Sequence, residues 1–328
     1  GGFHISEGLS HSLTKLEKDM AAFPSLGIFR HENGTPLEPG EALVQDDLAR
    51  TLEMIASEGP DSFYEGAIAS LIADEMRRGG GLITLDDLSD YNAVLRNPVK
   101  GSYRGFEIIS APPPSSGGVV LLEILNILEG YDLASEEPLS SRVIHLMAEA
   151  EKRAYRDRAA YLGDPDFIDM PVGSLISKEY AGRLRSGIGD TTAPSSSMSP
   201  APFDPESEET THYSIIDGAG NVVAVTVTLN DSYGSRVIVG GAGFLLNNEM
   251  DDFSIKPGEP NIYGLTGGAA NAIQPGKRML SSMAPTIVLK EGEPLVALGT
   301  PGGSTIITTV AQLIVDIIDF GMHPSKAV

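Results

Sequence analysis

The 328-residue sequence contains no cysteine. That absence removes disulfide frameworks, thiolate zinc sites and a cysteine nucleophile together, and leaves the compartment open. Positive charge is the second scarcity: 23 Lys and Arg stand against 45 Asp and Glu, a formal net charge of −22. A chain with that balance is not built to neutralise phosphates, which argues against a nucleic-acid partner. The imbalance is uneven. Residues 210–328 carry 6 basic and 10 acidic residues, net −4, leaving 17 and 35, net −18, on residues 1–209. A solvated acidic surface on the first segment accounts for the difference. Long apolar runs are missing too. A membrane helix needs roughly 18 uninterrupted apolar residues, and the best stretches here are broken by Glu123, Asn126, Gln312, Asp316 and Asp319.

What is present describes an ordinary globular chain, 41% apolar and 21% charged. Its length suits about two domains at roughly 150 residues each, with enough core to need no metal or disulfide staples. Spaced apolar positions predict helices over 6–23, 45–58 and 66–78, and Thr84 with Asp87 reads as a helix start. A strand over 103–110 runs into Pro112-Pro-Pro-Ser-Ser-Gly-Gly118, a rigid turn feeding helices at 119–129 and 140–161. Residues 189–209, rich in proline, serine and acid, read as an exposed flexible segment.

From Thr211 the pattern becomes strand-like. Residues 211–216 and 222–230 form a hairpin about Asp217–Asn221, with Thr226, Thr228 and Asn230 on one face. Further strands are expected at 280–289 and 294–299, and Gly302-Gly303-Ser304 opens a helix over 304–320. Hairpin strands beside long helices predict sheets covered by helices, not a parallel doubly wound fold. The chain has no initiator methionine and stops just after a helix start at His323-Pro324-Ser325, so both ends are expected to continue.

Most nucleophile and phosphate signatures are missing: G-x-S-x-G, G-x-G-x-x-G, a Gly-Lys-Ser/Thr phosphate loop and H-E-x-x-H. Only six histidines occur, and His212 falls inside a strand as a packed or surface residue rather than a base. One junction stands out, the acidic segment ending at Glu209 followed at once by Thr210-Thr211. A threonine that becomes N-terminal can act without histidine, because its own α-amine serves as the base. Taken alone, a threonine pair at a strand start is more often ordinary strand.

Five segments in order change that reading: Thr210-Thr-His-Tyr-Ser214, Val225-Thr-Val-Thr-Leu-Asn230, Leu245-Leu-Asn-Asn-Glu-Met-Asp-Asp-Phe-Ser254, Leu280-Ser-Ser-Met-Ala-Pro-Thr286 and Gly299-Thr-Pro-Gly-Gly-Ser304. Together they resemble the small subunit of the gamma-glutamyltransferases (gamma-glutamyltranspeptidases), a family of N-terminal nucleophile hydrolases. Gly101-Ser-Tyr-Arg-Gly105, Pro112–Gly118 and Leu162-Gly-Asp-Pro-Asp-Phe167 are similar to that family's large subunit. The resemblance implies an α+β fold, a four-layer αββα sandwich. It also implies a precursor that cleaves itself between Glu209 and Thr210. Residues 1–209 would then be part of a large subunit and residues 210–328 part of a small one.

By the same resemblance Thr210 is the nucleophile of both self-cleavage and turnover, and Thr228 tunes it. Asn230, Glu249, Asp252, Ser281 and Ser282 hold the glutamyl α-amino and α-carboxylate groups. Gly302 and Gly303 supply the oxyanion donors, and Tyr263, in a lid over 257–268, contacts Asn230. No metal or organic cofactor is implied. The partners implied are glutathione or another gamma-glutamyl donor and an amino-acid or peptide acceptor, in a periplasmic or extracellular setting. An arginine that clamps the α-carboxylate is expected before Gly1. The readings kept beside this one are a cephalosporin or glutaryl acylase of the same family and a non-catalytic remnant or binding domain.

Overall fold

The computed structural model describes residues 1–16, 24–192, 210–262 and 264–328. They form two compact units, Gly1–Leu95 with Tyr233–Asn248, and Arg96–Ser232 with Glu249–Val328.

In the first unit β1 (Phe3–His4) pairs antiparallel with β2 (Ala42–Leu43). The helices beside them include α1 (Glu7–Lys15), α2 (Asp46–Glu58), α3 (Ala67–Gly79) and α4 (Leu85–Ser89). The expected helix over 6–23 is described as far as Leu16, and residues 17–23 lie outside the described residues. The start signal at Thr84 is a full capping box. Thr84 Oγ1 accepts from the Asp87 amide at 3.2 Å, and Asp87 Oδ2 accepts from the Thr84 amide at 2.8 Å. Two small apolar clusters, one around Leu13, Leu26 and Leu43 and one around Ile68, Ile72 and Val239, hold this unit together.

The second unit begins with β3 (Val99–Tyr103) and β4 (Phe106–Ser110), where a single strand over 103–110 was expected. The chain reverses at Arg104 and Gly105, whose φ angles of 52° and 84° are those of a two-residue hairpin turn. Next come α5 (Gly117–Leu128), α6 (Ser141–Tyr161) and α7 (Lys178–Arg185). The hairpin β5 (Thr211–Ile216) and β6 (Val222–Val227) follows, then β7 (Thr286–Lys290), β8 (Glu293–Leu298) and α8 (Ile306–Ile318). One antiparallel sheet has the order β3-β4-β7-β8, and the β5–β6 hairpin lies against β7 and β8.

Two strand expectations need correction. β6 stops at Val227 rather than 230, because Asn230 takes φ 75° and turns the chain out of extended geometry. Likewise β7 starts at Thr286, not 280, since Ser281 bonds instead to Pro114 and Ser116 in the loop before α5.

Every residue of α5 is buried, as expected of a helix that is apolar on all sides. It packs against α6, α7, α8 and β3. Two polar groups inside this core need accounting for. Asn126 donates from Nδ2 to the Ile176 carbonyl at 2.7 Å. Glu123 faces Asp157 of α6, and burial, followed by the charge of that neighbour, pushes its carboxyl well above the ordinary range.

This pair sets a pH dependence. Folded Glu123 keeps a proton that the unfolded chain has lost above about pH 4.3. Stability therefore falls as pH rises from there toward the folded pKa, by up to about 1.4 kcal/mol per pH unit. Glu123→Gln keeps the shape without the ionisation. Urea midpoints from about pH 5 to pH 8 should decline less steeply for the variant than for the wild type. Parallel declines would contradict an uncharged Glu123.

Candidate active site

All the described candidate residues belong to the second unit. Thr210 immediately precedes β5, and Thr228 immediately follows β6. Hairpin register pairs Thr211 with Val227, which sets Thr210 across from Thr228. The Thr210 hydroxyl donates to Thr228 Oγ1 at 3.3 Å, and the Asn230 amide donates to the same oxygen at 2.9 Å. Asn230 is buried. The geometry replaces the expected shared strand face, because Thr228 and Asn230 meet Thr210 through a turn beyond the strand end. Thr228, Asn230, Asp252, Ser281, Ser282 and Gly303 line one cavity, together with Ser304, Leu265, Met283 and Ile306.

The serine pair is held from behind. The Ser281 amide donates to the Pro114 carbonyl at 3.0 Å, and the Ser116 amide returns a bond to the Ser281 carbonyl at 2.8 Å. Approach is so close at Gly117 that a Cβ there would stand 2.3 Å from the Met283 carbonyl oxygen, which only glycine permits. The Pro112–Gly118 segment is thus a clamp on residues 281–283 as well as a turn.

The hydroxyl roles follow from what each oxygen already accepts. Ser281 Oγ accepts from the Met283 amide at 3.1 Å, and Ser282 Oγ accepts from Arg158 Nη2 at 3.0 Å. An acceptor site is used on each, leaving each O–H proton to be donated elsewhere.

Glu249 and Asp252 share one 3₁₀ turn, Glu249–Asp252. Burial, with Asp252 nearby, raises the Glu249 carboxyl to about 7. Burial also raises Asp252 to about 6, the Arg158 guanidinium pulling it down and Asp251 adding to the rise. Burial disfavours the charged form of both carboxyls, and a cation brought beside them would favour it.

Gly303 lines the cavity, and Gly302 and Gly303 precede α8 with φ of 130° and 51°, a backbone that disfavours any side chain. Their peptides sit at the positive end of the helix, where backbone N–H groups stabilise developing negative charge. Burial lowers the pKa of His212, whose ring nitrogens meet Thr226 Oγ1 at 2.8 Å and Ser214 Oγ at 3.1 Å. Among the described residues no cluster of three or more His, Asp or Glu could hold a metal ion. Tyr263 and Glu209 lie outside the described residues.

Sequence reasoning missed Ser116 and Arg158. A signal existed for the second. The buried stripe of α6 runs Val143, Met147, Ala150, Ala154 and then Arg158, a cation where the spacing calls for an apolar residue.

The comparisons agree on the relationship. The family model described as Gamma-glutamyltranspeptidase matches residues 1–328. The chain is 51% identical over 336 residues to the glutathione hydrolase proenzyme of Escherichia coli strain K12, covering 99% of this chain and 57% of that protein. It is 43% identical to the acylase ACY 1 proenzyme of Pseudomonas sp. strain SE83, covering 100% and 56%. A crystal structure of cephalosporin acylase from Bacillus halodurans superimposes with a TM-score of 0.85 at 27% identity, over 99% of this chain and 58% of that one. The chain therefore spans just over half the length of the relatives it matches. With its motifs matched from end to end, the chain belongs to the gamma-glutamyltranspeptidase family.

Proposed function

We propose that the protein is a gamma-glutamyltransferase and glutathione hydrolase, made as a precursor that cleaves itself between Glu209 and Thr210. One observation carries the reading. The Thr210 hydroxyl is bonded to Thr228, and Thr228 lines a cavity together with Asp252 and two donor-ready serines. A glutamyl end presents an ammonium and a carboxylate, and this cavity offers a complement to each. Resemblance to the E. coli glutathione hydrolase proenzyme supports the same donor.

In the precursor, Thr210 Oγ attacks the Glu209 carbonyl carbon and the peptide bond becomes an ester. That shift breaks the bond to the Thr210 nitrogen and frees the α-amine, and water then hydrolyses the ester, releasing the Thr210 hydroxyl and the Glu209 carboxylate. Residues 1–209 and 210–328 then belong to separate subunits of one α+β molecule, which we read as the four-layer αββα sandwich. In turnover the α-amine takes the Thr210 hydroxyl proton as the oxygen attacks the γ-carbonyl of the donor. Gly302 and Gly303 amides face the oxyanion, the leaving amine takes up the proton, and the acyl-threonine passes to water or to an amine acceptor.

The acylase reading rests on the second group of relatives. Glutaryl donors lack the α-ammonium to which the Glu249 and Asp252 carboxyls are suited, so we favour the glutamyl donor. Assay of the full-length protein on gamma-glutamyl-p-nitroanilide and glutaryl-p-nitroanilide decides between them. Faster turnover of the first is expected, and exclusive cleavage of the second would overturn the proposal.

The site also sets a pH profile. Glu249 and Asp252 are raised to about 7 and about 6, so both lose their charge as pH falls through those values. KM for gamma-glutamyl-p-nitroanilide should rise below about pH 7, approaching tenfold per pH unit once a required carboxylate is protonated. Glu249→Gln should raise KM at pH 8 and remove the upper inflection. A KM flat from pH 8 to pH 5 would contradict ammonium recognition by these groups.

A further inference from the structure

We infer that Arg158 is a positioning residue for the donor's α-carboxylate, acting from beneath the pocket through Ser282. The inference rests on the glutamyl reading proposed above. Arg158 is 5% exposed, in the last turn of α6. Its Nε donates to Ser116 Oγ at 2.8 Å and its Nη2 to Ser282 Oγ at 3.0 Å. Among the described residues no carboxylate lies within ion-pair distance of it, and Asp252 is the acid whose charge it feels. A guanidinium withdrawn from water and met only by hydroxyls is costly, and a second anion close by would offset that cost.

Hydrogen-bond direction says where that anion sits. Arg158 can only donate, so Ser282 Oγ must accept from it and keep its own proton for another acceptor. Ser116 plays the matching part on the other side. Its hydroxyl accepts from Arg158 and donates to the Ser281 carbonyl at 2.7 Å, fixing the backbone that carries both cavity serines. A single buried cation thus orients the Ser282 hydroxyl, anchors residue 281 through Ser116, and adds positive potential beside the cavity that both serines line. A carboxylate bound there receives two hydroxyl protons and the field of Arg158 without touching it.

The test compares two donors in the full-length protein. Gamma-glutamyl-p-nitroanilide carries both the α-ammonium and the α-carboxylate, while 4-aminobutyryl-p-nitroanilide keeps the amine and lacks the carboxylate. The readout is the ratio of kcat/KM between them. Arg158→Met should lower the ratio roughly 10–100-fold, the range for losing a charge-assisted hydrogen bond. Arg158→Lys should keep part of it, and Ser116→Ala should lower it a few-fold. In a Ser282→Ala background Arg158→Lys should change the ratio little further, because the two act as one unit.

Equal losses on both donors would mean a merely structural role and would overturn the inference. If Arg158→Met yields no mature protein, an unchanged ratio in both Arg158→Lys and Ser116→Ala overturns it equally. A wild type that does not favour the carboxylate-bearing donor overturns the glutamyl reading itself. A wild type that favours it, with variants that do so undiminished, overturns the role of Arg158 alone.

Discussion

Thr210→Ala in the full-length protein is expected to leave one uncleaved chain on a denaturing gel and to lower donor turnover by at least about 10⁴-fold. The expectation follows from how little other nucleophilic chemistry the chain offers. Cysteine is absent, and the histidine nearest the junction, His212, has its ring nitrogens against Thr226 and Ser214. Removing the Thr210 hydroxyl removes both the group that attacks the Glu209 carbonyl and the group that later carries the acyl chain. Thr210→Ser should keep cleavage and measurable turnover, because a hydroxyl still reaches Thr228 Oγ1. The alanine variant should melt within a few degrees of an uncleaved wild-type precursor, since the lost contact is one 3.3 Å hydroxyl bond. Cleavage at Glu209 in the alanine variant would contradict the assignment.

Gly302→Ala is the second large effect, expected in kcat rather than KM. At φ 130° a side chain is strained, and a Cβ would stand 2.7 Å from Thr305 Oγ1. The Thr305 hydroxyl is itself committed to the Gly302 carbonyl at 2.7 Å, so relief must come from the backbone. Movement there re-aims the amides that face the oxyanion, which exists only in the transition state. Loss of one such donor lowers kcat by about 10²–10³. The groups proposed to hold the glutamyl end lie on other segments, at 230, 249–252 and 281–282, so KM should stay within about threefold. A raised KM with normal kcat would instead assign the glycines to donor binding.

The sequence carried the helices well where caps and periodicity agreed, as at Thr84 and along α6. It failed where local pattern and long-range pairing parted. Val99-Lys-Gly-Ser-Tyr103 has no alternation to announce a strand, yet β4 pairs with it along its whole length. Residues 280–285 look like strand from their composition but are held by a loop more than a hundred positions earlier, a contact no local rule can see. Strand alternation put Thr228 and Asn230 on one strand face, whereas they meet Thr210 through the φ 75° turn at Asn230. The site residues themselves came from motif resemblance, not spacing, and the cavity gathers six of them. Arg158 and Ser116 escaped because neither lies in the motifs around the nucleophile. Only a charge on a buried helical stripe could have pointed to the first.

The central claim is that Thr210 becomes the free N-terminus of a subunit and does its chemistry there. N-terminal sequencing of the chains formed by the full-length protein, with mass mapping of the residue acylated by a gamma-glutamyl donor, tests it directly. The account predicts a chain beginning Thr210-Thr211-His212 that carries the gamma-glutamyl group on Thr210. Turnover by an uncleaved chain, or an acyl group on any other residue, would contradict it.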